Sequence, residues 1–599
     1  MKSKLACLFL GLGLVVSASV RAEDQINRTL ATIPGDAMGF VLVPSLKTLD
    51  ADYQQAVMDM GLQPMVQPPF NSLVGALKTF MPMLGGLDES GPLAVVFMPA
   101  ASLPEISMSQ ALLVSTKDPK AMIEAMGGQA GEGGLWSVTL MGQPAHAAAG
   151  KDRVILAQQA RIVTAVKESK SNIATRLKPE TRKAFANLDV AIWIDADRLF
   201  KLIKPLVDGF MTTAMAMQQA SGGLEAKSAE INKKNMDAFF EGTSTLLMGV
   251  ALDKGGLGLR GAMEAKAGSE LIKQLSVRTT TESLLGGLPA SDYLFAFGET
   301  IDPGQMESAT EQLDVLLTPP ADAEGVDTET MKKLKGLLKE AVLLLTGLRG
   351  TVEALPPGPD GLFGLSLIID TSDSRKAIEL KTELIEHAKA LAVGMAEKAG
   401  EDEVVELAGA LMLNAEAEEI GGVKVMHAGF DLEKIKSIDD EDREDIFKVI
   451  GKEGLLFRMA PVNAKRIVAS FGGGKGRMAA LMESAKKDAA PLEVDAGITK
   501  VAGALPAERA SVAYLAADRI LASVNQVLTT LEEDALPVTV APIHAPLAMA
   551  TRGGDGWVEF DMFFPTELLV AGKNAAMTMM GQQQTAQPSQ PPSSGSQNP

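Results

Sequence analysis

One phrase occurs twice in this chain. "DVAIWIDADRLFKLI" begins at Asp189 and "SVAYLAADRILASV" at Ser511, so that Asp197 falls on Asp518, 321 positions later. Each is a short apolar run, then Ala-Asp-Arg, then a second, helix-like apolar run. The pair belongs to a series. "IPGDAMGFVLVPSL" (33–46) matches "LPASDYLFAFGETI" (288–301), and "ALLVSTKDPKAMIEAM" (111–126) matches "SLIIDTSDSRKAIELK" (366–381). "KDRVILAQQARIVTAVKES" (151–169) matches "AKRIVASFGGGKGRMAALMES" (464–484), and "ALDKGGLGLRGAMEA" (251–265) matches "ATRGGDGWVEFDMFF" (550–564) with Gly255 on Gly553. The order is the same in both halves, so the expectation is a tandem duplication of two related units.

The offset between matches rises from 256 at Lys376 to 313 at Arg466. That places an insertion in the second copy, near 390–455. It falls again toward the end, where the first copy has a longer stretch at 204–244. The expected organisation is a signal peptide at 1–22, a first repeat at 23–284, a second at 285–575 and a disordered tail at 576–599.

Each copy mixes two periodicities. Phe40–Val43, Leu93–Met98, Ala111–Ser115, Val154–Ala157 and Val190–Ile194 are strand-like, and turns such as Lys254-Gly255-Gly256 suit antiparallel hairpins. Leu46–Met60, Pro119–Met126, Ala160–Lys167 and Leu199–Phe210 repeat at helical spacing. Hairpins with interspersed amphipathic helices give an α+β fold, its antiparallel sheets covered by helices. In the repeated phrase, Asp197 and Asp518 stand where strand gives way to helix, and each is expected to cap the free amides there. Arg198 and Arg519, one position on, are expected to point outward or meet a carboxylate.

Composition decides which partners are excluded. Lys2 and Lys4, the apolar run Leu5–Val16 and the small residues around Ala22 read as a secretory signal peptide. Its removal takes away Cys7, the one cysteine, and leaves a net charge of about −22. A chain so acidic repels phosphate backbones, so no nucleic acid is expected as partner. Without cysteine there are no disulfides and no thiolate metal site, and core burial must supply the stability. No later run is long and apolar enough for a transmembrane anchor. The last residues, "GQQQTAQPSQPPSSGSQNP", lack the apolar content to order themselves.

The search for chemistry finds no convergent set, and no catalytic, cofactor-binding or metal-binding residue is assigned. His146, His387, His427 and His544 show no ligand spacing. "FGGGKGRM" (471–478) carries Lys475 and Arg477 but not the spacing of a phosphate loop, and is read as a flexible strand–helix connection. Asp439, Asp440, Glu441 and Asp442 lack the glycine and closing glutamate of a calcium loop, and are read as the acidic first turn of a helix near 440–450. Met211, Met215, Met217, Met577, Met579 and Met580 are read as packing residues, not copper ligands. Asp195 and Asp197 form a carboxylate pair, but Asp195 falls on Ala516 in the second copy.

Residues 33–64 together with "GGLDESGPLAVVFMP" (85–99) resemble the beginning of large exported proteins of planctomycete-type bacteria. No catalytic residues are established for that group, so the resemblance implies a lineage and hands over no site. The expectation is an exported, periplasmic or extracellular protein, not an enzyme, without cofactor, acting by surface or partner binding. One alternative is a carrier of an apolar, lipid-like ligand in pockets between sheet and helices, suggested by runs such as "LKGLLKEAVLLLTGL" (334–348). A second is a carboxylate-dependent hydrolase.

Overall fold

The computed structural model describes residues 26–585 except 82–84, 141, 186, 222, 317–327, 400–401, 454, 489, 535, 537–540 and 555. Residues 1–22, expected to be a signal peptide, therefore lie outside the described residues. The chain is α+β. Its first half supplies β1 (Gly39–Val43), β2 (Leu93–Phe97), β3 (Gln110–Ser115), β4 (Gln129–Ala130), β5 (Leu135–Leu140), β6 (Gln143–Ala149), β7 (Arg153–Ala157), β8 (Val190–Asp195), β9 (Thr243–Asp253) and β10 (Gly256–Ala265). The second half supplies β11 (Tyr293–Thr300), β12 (Leu345–Ala354), β13 (Phe363–Thr371), β14 (Leu411–Ile420), β15 (Val423–Phe430), β16 (Leu455–Asn463), β17 (Arg466–Phe471), β18 (Ser511–Leu515), β19 (Leu547–Gly554) and β20 (Trp557–Pro565).

All these strands pair antiparallel. The first half runs β4-β5-β6-β7-β3-β2-β1-β8-β9-β10, and the second runs β14-β15-β16-β17-β13-β12-β11-β18-β19-β20. The two orders correspond strand for strand. β10 then pairs with β20, so one twenty-stranded sheet passes through both halves.

Alternation along each strand sends one set of side chains to a buried face. In the first half Phe40, Leu42, Ala94, Val96, Leu113, Ile155 and Trp193 enter a core with Ile162 and Val163 of the Ala160–Glu168 helix. In the second, Tyr293, Ala296, Ile368, Val468, Val512 and Tyr514 enter a separate core with Met478 and Leu481 of the Gly474–Lys487 helix. On the other face, smaller clusters form where the Pro119–Ala125 helix covers β3, β6 and β7, and where the Ser374–Ala399 helix covers β13, β16 and β17.

Local signals account for many boundaries. Ser45 accepts from the Thr48 amide at the start of the Leu46–Asp59 helix, and Asp118 accepts from the Ala121 amide before Pro119–Ala125. Asp439 accepts from the Asp442 amide, and Asp440, Glu441 and Asp442 fill the first turn of the Asp440–Ile450 helix.

Four expectations need correction. First, Asp197 and Asp518 do stand in the first turns of the Ala196–Ser221 and Ala517–Thr530 helices, but neither caps its own helix. Asp197 pairs with Lys201 at 2.8 Å and Lys266 at 2.6 Å, which hold its carboxyl below the usual range. Asp518 accepts instead from the distant Ile543 amide at 2.8 Å. The cap in the first half is Asp195, which accepts from the Arg198 amide at 3.1 Å. A helix that begins one residue after the strand leaves only the strand's last side chain in capping reach.

Second, the excess of the second half falls in two pieces. The helices Ser374–Ala399 and Asp402–Ala410 lead into a ten-residue β14 where the first half has a short helix and the two-residue β4. Separately, 431–453 and its Asp440–Ile450 helix stand between β15 and β16, where only two positions separate β5 from β6. Third, the hairpin turns place Gly256 where Trp557 stands, three positions beyond the match of Gly255 with Gly553. Fourth, the Thr566–Thr585 helix enters the stretch expected to be tail, and 586–599 lie outside the described residues.

Candidate functional site

The joint between the halves is an antiparallel pairing of equivalent strands. Gly256 lies opposite Pro565 and Glu264 opposite Trp557, so the register centres on Arg260 opposite Asp561. By the hairpin registers these two are themselves equivalent positions. A local two-fold axis therefore passes between an arginine and an aspartate, which form an ion pair with Nε to Oδ1 at 3.0 Å. Next to it on the same face, Arg552 of β19 holds Glu559 through both carboxylate oxygens at 2.8 and 2.9 Å. Asp561 and Glu559 are buried, at 4% and 2% exposure. This charged strip separates the two apolar cores.

Burial, and then the neighbouring Glu559 carboxylate, push Asp561 up to about 6 against the pull of Arg260 and Arg552. An unfolded aspartate titrates near 3.9. Between pH 4 and pH 6 the unfolded chain thus gives up this proton before the folded chain does, and stability falls as pH rises through that window. Wild type should gain on Asp561→Asn by on the order of 2 kcal/mol as pH drops from 7 to 4. Unfolding midpoints of both chains at the two pH values check this. A difference that is independent of pH, or that grows in the opposite direction, would contradict it.

Beside the axis, on the core face, lies a cleft of about 960 Å³. Its first-half wall carries Asp52, Asp189 and Asp253, and its second-half wall carries Lys500, Val501 and Phe563. Asp189 accepts from the Leu252 amide at 2.7 Å, yet burial first, then Asp52 and Asp253, raise it. Burial and Asp253 likewise raise Asp52. The linker between the halves fills the space related to this cleft by the two-fold axis. A Cβ on Gly553 would lie 3.0 Å from Val277, and Thr279 Oγ1 donates to Glu508 at 2.8 Å.

The outward face at the joint is apolar and open. One register row crosses it as Val41, Ile192, Met248, Gly261, Phe560 and Thr551. Ile192 is 37% exposed, Met248 51% and Phe560 39%. The flanking row, Val43, Val190, Val250, Leu259, Met562 and Met549, is apolar and half-buried. Two helices stand at each end of this stretch. Leu46–Asp59 follows β1 and Thr566–Thr585 follows β20, and Lys573 ties them by donating to the Met60 carbonyl at 2.7 Å. Ala196–Ser221 follows β8 and Pro303–Leu316 follows β11, at the opposite end. Between these helix starts the outward face is an open strip of apolar strands, the trough of this sheet.

The residues singled out from sequence are dispersed. His146 is on β6, His387 on the Ser374–Ala399 helix, His427 on β15 and His544 in the loop before β19. His427 Nε2 meets Glu418 at 2.9 Å. Among the described residues no three His, Cys, Asp or Glu side chains gather as metal ligands. Gly472, Gly473 and Gly474 all take positive φ, and Gly473 is the cap position of the following helix. Lys475 donates to the Glu419 carbonyl at 3.2 Å, and Arg477 is buried against Glu353, so both cations of that loop are committed within the fold. Met211 is half-buried and Met577 is 48% exposed, while the side chains of Met215, Met217, Met579 and Met580 lie outside the described residues. Arg198 pairs with Asp195 at 3.3 Å and donates to the Asp36 carbonyl, whereas Arg519 covers the Tyr293 ring at 4.7 Å. Neither the trough nor the axial ion pair was found from sequence, because both depend on which edge strands meet.

No family model matches the chain, and no curated protein matches it. Among solved structures, two crystal forms of TP0453 are similar to part of it. Crystal form III is 9% identical, with a TM-score of 0.20, covering 48% of this chain and 96% of that one. Crystal form I is 8% identical, with a TM-score of 0.19, covering 51% and 99%. A likeness at this level carries no argument about fold or function. Among the described residues no helix is long and apolar enough to cross a membrane.

Proposed function

We propose that this is an exported, non-catalytic protein that acts by binding, and that its binding surface is the apolar outer face at the joint. One observation carries the reading. Ile192, Met248 and Phe560 come from three strands in both halves, lie in one register row and remain exposed. A contiguous apolar surface left open on a folded protein is a mark of an interaction site. Gly261, between Met248 and Phe560, adds no side chain to the row. Export rests on the basic start and apolar run of residues 1–22. The partner is a molecule with an apolar strip long enough to cross several strands.

The test uses the apolar dye bis-ANS on the mature full-length chain. Met248→Lys and Phe560→Lys place charges in the trough without touching either core. The double variant should lose most dye fluorescence while its unfolding midpoint stays within about 1 kcal/mol of wild type, as exposed substitutions do. Undiminished fluorescence in a folded double variant would remove the trough as the binding surface.

A further inference from the structure

The second half contains a cleft of about 650 Å³ whose charge runs against that of the chain. Arg278, Arg349, Lys465, Arg466 and Lys486 line it with only three carboxylates, Glu282, Asp370 and Asp488, although the protein as a whole carries −19. Two of these cations are locked in place. Arg349 and Arg466 both bind Asp370, the latter through Nε at 2.9 Å. Arg466 also reaches Asp488 at 2.8 Å and the Ala485 carbonyl at 3.0 Å, and Arg349 reaches the Gly286 carbonyl at 2.9 Å. Arg278, Lys465 and Lys486 stand exposed at the rim, and no ion pair joins any of them to a described residue. Deeper in the cleft, Thr371 is 2% exposed, and its Oγ1 has no hydrogen-bond partner among the described residues. The Ser283 Oγ is in the same condition.

The first half provides an internal comparison. Strand registers put Ala94, Ser115 and Arg153 at the positions of Arg349, Asp370 and Arg466, and Thr116 at that of Thr371. There the threonine hydroxyl is satisfied, donating to the Gly86 carbonyl at 2.7 Å. The same strands are therefore built without the arginine–aspartate–arginine trio and without an unpaired hydroxyl. Fold stability does not call for either, and a buried hydroxyl without a partner works against it.

We infer that this cleft binds a small organic molecule bearing oxyanion groups, phosphate or carboxylate. Oxyanion oxygens accept from Thr371 Oγ1 and from the rim cations, and such charge-assisted contacts are the strong ones. The guanidinium groups of Arg349 and Arg466 are held in place by Asp370 and Asp488, so an N–H that either turns to the ligand costs no reordering on binding. Its volume exceeds a single phosphate, and three uncommitted rim cations suit a multiply charged ligand.

Isothermal titration of the mature full-length chain at low ionic strength, with inorganic phosphate and separately with citrate, tests this. Saturable binding of one probe per chain is expected, and whichever probe saturates first identifies the oxyanion. Arg278→Glu with Lys465→Glu should weaken it by about tenfold or more. Thr371→Val should weaken it severalfold with no fall in unfolding midpoint, since no protein hydrogen bond is lost. Lys151→Glu, in the corresponding turn of the first half, should leave it unchanged. Failure of both probes to saturate by about 10 mM would overturn the assignment. So would rim variants that bind as wild type does, a result that stands even if Thr371→Val does not fold.

Discussion

Glu353→Ala should cost about 3–5 kcal/mol, among the largest effects of any single change in the second half. Glu353 and Arg477 pair with side chains only 8% and 9% exposed. Thr351 also donates to Glu353, and the Arg477 Nε reaches the Ser366 hydroxyl at 3.2 Å. Removing the carboxylate leaves a guanidinium buried with one neutral partner, which is far worse than removing both charges. The double change Glu353→Leu with Arg477→Met should therefore recover most of the loss. Gly364 is part of this arrangement, because a Cβ there would run into the Arg477 guanidinium. Chemical denaturation followed by a probe in the second half reads both variants. A loss below about 1 kcal/mol for Glu353→Ala, the range of an exposed pair, would show that water reaches Arg477.

Trp193→Ala should cost about 3–5 kcal/mol in the first half. The indole is 1% exposed, stacks on Phe40 at 5.4 Å and has Arg176 over its ring at 5.8 Å. Phe40 in turn stacks on Phe185 at 5.7 Å, so truncation opens a cavity bounded by rings that cannot collapse into it. Trp193→Phe keeps the stack, and since the indole Nε1 has no hydrogen-bond partner among the described residues it forfeits none of those bonds. Its cost should be near 1 kcal/mol. Equal losses for the two variants, measured by denaturant midpoint, would contradict the packing account. The equivalent position in the second half is Tyr514, whose hydroxyl is pushed above its ordinary range by burial. The two cores thus solve the same position with different chemistry.

Much of this architecture is local and could be read from the chain. Pro119, with Asp118 before it, starts a helix, Asp439 caps the helix that begins at Asp440, and alternation around Phe40, Val154 and Trp193 gives strands with one buried face. What escaped depends on contacts that no local pattern encodes. Asp197 looked like a cap because helix entry was placed two residues late, and Asp195 takes that role. The trio Arg349, Asp370 and Arg466 is assembled from three strands, β12, β13 and β17, and nothing near any one of them marks the other two. The axial pair of Arg260 and Asp561 joins positions in opposite halves, and only the meeting of two edge strands makes them neighbours. The trough was hidden for a further reason. An outward Met248 or Phe560 has the same hydropathy as an inward one, and alternation does not say that both faces of a strand are apolar until a sheet shows which face the helices leave open.

The central claim is that the outer face at the joint, and not another surface, meets the protein's partner. Site-specific photo-crosslinking in the native host tests it most directly, with a benzoylphenylalanine replacing Met248 or Phe560 in the full chain and Lys151, an exposed polar position, as comparison. The account predicts one discrete adduct common to positions 248 and 560 and absent from 151, its mass distinguishing a protein from a lipid-like molecule. Adducts of equal yield at all three positions, or none at 248 and 560 in a folded and exported chain, would contradict it.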